Sequence, residues 1–122
     1  MIELKLAEGD YRFASIVWEN EPLGSGELVK LCREHFNWKK STTYTMLKRM
    51  CDKGILQNAD SVVTARVKRE QVQKAESEQF MERTFQGSLP RFITAFMSDK
   101  TLTGQEAEEI KQIISRYTKN EG

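Results

Sequence analysis

The chain of 122 residues is poor in the residues that build catalytic and metal centres: it holds two cysteines and one histidine. Cys32 and Cys51 stand apart, with no CxxC and no paired Cys/His spacing, so neither a disulfide framework nor a zinc site is expected. His35 falls at the end of a helical stretch and reads as solvent-facing, without a ligand or base pattern around it. A Gly-rich phosphate loop, an HExxH helix and a nucleophile with its base are all missing. Glu108 and Glu109 are adjacent and point apart on a helix, which is poor geometry for shared acid–base work. These absences predict no enzyme, no metal and no cofactor. Long hydrophobic runs are missing too: none approaches the roughly 20 residues of a membrane span. The opening MIELKLAEGD has neither the basic start nor the apolar run of a signal peptide. A cytoplasmic protein with no membrane partner is the expectation.

Charge of one sign is also lacking, with 19 Lys+Arg against 18 Asp+Glu. The distribution is uneven. Residues 1–29 carry two basic and six acidic side chains, residues 30–53 seven basic and two acidic, and residues 70–122 seven basic and nine acidic. The central island, with a local net of +5, fits an electrostatic footprint for nucleic acid, although a solvated helix face has the same composition.

Residues 7–20 read as a first helix, with Tyr11, Phe13, Ala14, Ile16, Val17 and Trp18 as its apolar content. Glu21-Pro22-Leu23-Gly24 breaks it. Ser25 is placed to cap a second helix, whose inward stripe is Leu28, Leu31, Cys32 and Phe36. Asn37 and Trp38 form a turn, with Trp38 as a plug. A third helix runs from about Lys40 to Asp52, its buried face marked by Thr43, Met46, Leu47 and Met50, and Gly54 stops it. Two extended segments follow, Ile55-Leu56 and Val62 to Val67, around a polar turn at Asn58-Ala59-Asp60-Ser61. Three helices and a small hairpin predict a mainly α fold with a β-hairpin, a winged helix-turn-helix whose third helix reads the DNA major groove.

The outward side of that helix carries Ser41, Thr42, Tyr44, Thr45, Lys48 and Arg49, with Lys39 and Lys40 at its start. Hydroxyls bond phosphates or base edges, a threonine methyl packs on thymine, and long cations reach phosphate or guanine. A helix N-terminus itself favours phosphate. Lys40, Thr42, Thr45 and Arg49 are the strongest candidates for contact with double-stranded DNA.

The character changes after Arg69. Residues 70–122 read as helices: Glu70 to Phe85, a new start at Leu89-Pro90, and a last helix capped by Thr103 with Glu106 three residues on. Leu89, Phe92, Ile93, Phe96 and Met97 form one apolar stripe, and Ala107, Ile110, Ile113, Ile114 and Tyr117 another. So thin a segment cannot bury both by itself, and a homodimer interface is the natural sink, with packing onto the first helix as the alternative. The expected division is a DNA-binding domain at 1–69 and a helical dimerisation region at 70–122. Symmetric pairing suits a palindromic operator.

At these residues the chain resembles the penicillinase repressor family of bacterial transcriptional repressors, which includes regulators of beta-lactamase, methicillin-resistance and copper-transport genes. The resemblance spans roughly residues 4–118. It rests on Ile16-Val17-Trp18, on Trp38 to Lys40, on Thr42 to Met50 with Lys53-Gly54-Ile55-Leu56, and on Phe96 with the run Leu102 to Ile110. It implies a homodimeric repressor on an operator of dyad symmetry, with Thr42, Thr45 and Arg49 at positions the family uses for recognition. Three departures stand out. The wing Asn58 to Ala65 has an acid but no glycine, base or tyrosine. Where beta-lactam-responsive members are cleaved by a sensor protease at an Asn-Phe bond, this chain has Ala95-Phe96. The tail Arg116 to Gly122 lacks the paired cysteines of copper-responsive members. The abnormal wing keeps a second reading in view: a winged-helix module for protein–protein contact, with DNA binding weak or lost.

Overall fold

The apolar positions between Glu8 and Asn20 recur at helical spacing, and Glu8 and Asp10 complement the dipole at the N-terminal end. In the computed structural model, which describes residues 4–119, this segment is helix α1, Glu8–Asn20. Expectations that fall on residues 1–3 and 120–122 lie outside the described residues. The chain continues as β1 (Leu23–Gly24), α2 (Ser25–Phe36), α3 (Lys40–Asp52), β2 (Leu56–Ala59), β3 (Val62–Ala65), α4 (Arg69–Phe85), α5 (Leu89–Met97) and α6 (Gly104–Tyr117). The winged helix-turn-helix followed by helices is therefore present, with α3 at its expected bounds.

The chain forms two compact units, Met1–Phe80 and Met81–Gly122. They part within α4, whose first turn places Val72, fully buried, in the core of the first unit. That core gathers Phe13 and Val17 of α1, Leu28 and Cys32 of α2, Leu47 and Met50 of α3, and Ile55, Leu56 and Val63 around the hairpin. Each large apolar side chain contributes about 1.5–3 kcal/mol by leaving water. Trp18 closes the edge: its indole N–H donates to the Val67 carbonyl at 2.9 Å, and the Arg69 guanidinium lies over its ring.

Three local expectations are corrected. Leu23–Gly24 does not merely end α1; it pairs antiparallel with β3, so the hairpin becomes a three-stranded sheet in the order β1-β3-β2. Ser25 is not the cap of α2. Gly24 holds that position without a side-chain bond, and the Ser25 N–H donates to the Ser61 carbonyl. The polar turn is two residues long. Asn58 and Ala59 pair with Val63 and Val62, leaving Asp60 and Ser61 at φ 51° and 63°, as a tight hairpin turn requires.

In the second unit, Gln86 and Gly87 take positive φ and break the helical path before α5. The Ser88 hydroxyl accepts from the Arg91 N–H, and the Thr103 hydroxyl accepts from the Glu106 N–H, capping α5 and α6. Neither helix buries a single residue among those described. Phe92 meets Phe85 edge-on at 5.5 Å and Phe96 at 5.8 Å.

Two residues test how the hairpin is held. Gly54 sits at φ 82°, and bonds from the Gly54 N–H to the Cys51 carbonyl and from the Ile55 N–H to the Met50 carbonyl close α3. Gly54→Ala should cost roughly 1–2 kcal/mol of stability in denaturant titration. Glu21 accepts the Ala65 N–H at 2.9 Å and Lys68 Nζ at 3.1 Å. Burial pushes its carboxyl pKa up, but these two donors together outweigh that and leave it below the ordinary glutamate range. The folded chain then binds this proton more weakly than the unfolded chain. The stabilisation is full above the ordinary glutamate pKa and disappears as pH falls through the lowered one. Glu21→Gln should therefore lower stability by about 1 kcal/mol at neutral pH. The gap to the parent chain should close in thermal melts taken at progressively lower pH.

Candidate nucleic-acid interface

The core sets the rotation of α3. Thr43, Leu47 and Met50 are buried, which at 3.6 residues per turn puts Ser41, Thr42, Tyr44, Thr45, Lys48 and Arg49 on the other side. All six are exposed. The turn before the helix is equally determined. Asn37 adopts the left-handed conformation at φ 57° and its N–H donates to the Arg33 carbonyl. Trp38 plugs the turn as expected, stacked on Phe13 at 5.8 Å and tilted against Phe36 at 4.8 Å. Lys39 and Lys40 emerge from this turn exposed. The start of α3 has no side-chain cap and no acid in its first turn. Its leading N–H groups and the two lysines together suit a phosphate.

The candidates differ in what they already hold. Tyr44 O–H donates to Ser25 Oγ at 3.2 Å, and the Ser25 N–H bonds the hairpin turn at Ser61, so Tyr44 links α3 to the wing. Lys40 Nζ lies 6.0 Å from the centre of the Tyr44 ring. Lys48 pairs with Asp52 one turn on at 3.2 Å, both well exposed, an interaction worth a few tenths of a kcal/mol and easily exchanged for a phosphate. Arg49 Nη2 lies 3.2 Å from Asp10 Oδ2, and Lys53 Nζ reaches the same oxygen at 2.9 Å. Ser41, Thr42 and Thr45 form the open hydroxyl row between these cations.

An open groove runs beside α3, lined by Tyr44, Lys48, Cys51, Gln57, Asn58 and Arg66. Arg66 is exposed at the end of β3 and adds a cation next to the helix. It alternates with Val62 and Thr64 along the strand, a local pattern that does not by itself say which element lies beside it. Asp10 was equally invisible, since its partners lie on and just after another helix. The wing tip is Asp60-Ser61, which brings one acid, followed by the exposed Val62. Burial raises the pKa of both thiols, Cys32 and Cys51, so both are protonated at neutral pH.

In the second unit, Leu89, Ile93, Phe96, Ile110, Ile113, Ile114 and Tyr117 are exposed, and Phe92 and Met97 half-buried. Ala95 and Phe96 lie inside α5, both open to solvent. Among the described residues no group of three or more His, Cys, Asp or Glu side chains could hold a metal ion. No helix there is long and apolar enough to cross a membrane.

Comparison with known proteins agrees with this geometry. The chain is 22% identical over 117 residues to the penicillinase repressor of Bacillus licheniformis, covering 93% of this chain and 91% of that one. It is 17% identical over 116 residues to the methicillin resistance regulatory protein MecI of Staphylococcus aureus strain Mu50, covering 92% and 94%. Among solved structures, the DNA binding domain of the repressor BlaI superposes with a TM-score of 0.52 at 20% identity, over 58% of this chain and 93% of that one, a likeness of fold. Residues 7–116 match the family described as penicillinase repressor, and the chain belongs to that family.

Proposed function

We propose that this chain is a homodimeric, cytoplasmic transcriptional repressor that occupies a palindromic operator through α3 and so blocks promoter access. The observation that carries the reading is the exposed row Ser41, Thr42, Thr45, Lys48 and Arg49 on a helix whose start has neither cap nor acid. Lys39 and Lys40 anchor phosphates at that start. Thr42, Thr45 and Arg49 reach the base edges, and Tyr44 fixes the helix against the wing. Residues 1–69 carry DNA binding and residues 70–122 dimerise. The exposed apolar residues Leu89, Ile93 and Phe96 on α5 and Ile110, Ile113, Ile114 and Tyr117 on α6 are of the kind a second copy covers. Two recognition helices then lie about 34 Å apart, one turn of duplex. The relatives support this: one is a penicillinase repressor and the other a regulator of methicillin resistance. Induction by a sensor protease at Ala95-Phe96 requires α5 to unwind locally, because that bond lies inside the helix.

The second reading, a protein-contact module, draws on the acidic wing tip and the exposed Val62. The two readings part on one experiment. Replacing Lys40 and Arg49 by alanine should weaken binding to duplex DNA by roughly tenfold or more. It should also flatten the dependence of log affinity on log salt. Sedimentation should show the dimer intact. Unchanged DNA affinity in a folded, dimeric double variant would favour the protein-contact reading.

A further inference from the structure

Asp10 is a charged side chain on the inner side of α1, only 4% exposed, with two cations on its Oδ2 atom, one from α3 and one from the residue that follows it. Lys53 is the hydrogen-bonded partner at 2.9 Å, and Arg49 is the ionic partner at 3.2 Å. A buried carboxylate needs cationic company, and either cation alone would supply it. The Arg49 side chain remains 52% exposed, so its Nη2 meets Asp10 while the side chain as a whole stays open to solvent. A guanidinium has five N–H donors in a rigid fork and can serve a carboxylate and a second acceptor together. An unrestrained arginine on an exposed helix face samples many rotamers and attracts any phosphate, whatever the sequence.

We infer that Asp10 is a positioning residue that sets the sequence specificity of α3. Its buried charge aims Arg49 at one place on the duplex and holds the charges of Arg49 and Lys53 away from sequence-blind phosphate attraction. The inference rests on the DNA-binding reading and goes beyond it, because Asp10 itself touches no DNA. It has two consequences of opposite sign. Removing the carboxylate charge loosens Arg49, so affinity for the cognate site falls. It also frees two cations, so affinity for unrelated duplex rises. A residue that only held the fold together would weaken both.

The test uses the full chain, the operator recovered by selection from random duplex, and a scrambled duplex of the same composition. Both affinities are measured across a range of salt concentrations, with thermal melts run alongside. Asp10→Asn should lower the ratio of operator to scrambled affinity by roughly tenfold. It should steepen the salt slope on scrambled duplex by about one. Glu8→Gln removes an acid from the exposed side of the same helix and should leave the ratio as it was. Should Asp10→Asn fail to fold, Asp10→Glu decides: it keeps the buried charge but moves the carboxylate by one methylene under Arg49, and should lower the ratio without steepening the salt slope. A folded Asp10→Asn chain with the parent's ratio and slope, or in its place a folded Asp10→Glu chain with the parent's ratio, would overturn the inference while leaving DNA binding in place. A parent chain that prefers no duplex would remove the DNA-binding reading, and the inference with it.

Discussion

The rotation of α3 about its own axis governs everything the first unit presents to its surroundings. A shift of one residue turns a helix by 100°, enough to carry Lys48 or Tyr44 into the core and Thr43 or Leu47 into water. Thr43, Leu47 and Met50, all buried, forbid this. The two ends of the helix are pinned as well: Trp38 stacks on Phe13 at one, and the bonds from Gly54 and Ile55 close the other. The hydroxyl and cationic row is thus held outward by apolar packing on the opposite side.

Charge is distributed with the same division. The basic island looks like a uniform patch in sequence, yet the fold sorts its members. Arg49 and Lys53 are tied to Asp10, and Lys48 is loosely held by Asp52. Lys39 and Lys40 stand exposed at the helix start. Phosphate attraction is therefore concentrated at the start of α3 and, through Arg66, beside the groove, while the middle and end of the helix carry partly neutralised cations. This compensates for a wing tip that brings an acid to the place where a base would serve DNA.

Much of this was legible from residue order, for identifiable reasons. The bounds of α3 follow from a four-residue apolar period and a glycine, both local signals. Trp38 as a plug and Thr103 as a cap are local as well. The misses are pairings between distant segments. Leu23–Gly24 is too short to announce a strand and becomes one only because Val62 and Val63 lie alongside. Ser25 has the composition of a cap, but the hairpin turn takes its N–H and Tyr44 its hydroxyl. Asp10 reads as an ordinary first-turn acid until α3 is packed against it. The apolar spacing along α5 and α6 is a local signal, and several of its members, Leu89, Ile93, Phe96, Ile110 and Ile114 among them, are exposed.

The most direct test of the account is selection of the purified chain on a library of random double-stranded DNA at two salt concentrations, followed by sequencing of the bound fraction. An operator-binding dimer should recover one palindromic site, its half-sites about one helical turn apart, with affinity falling steeply as salt rises. No enrichment, or weak binding that ignores sequence at both salt concentrations, would contradict it and direct attention to a protein partner for α3 and the wing.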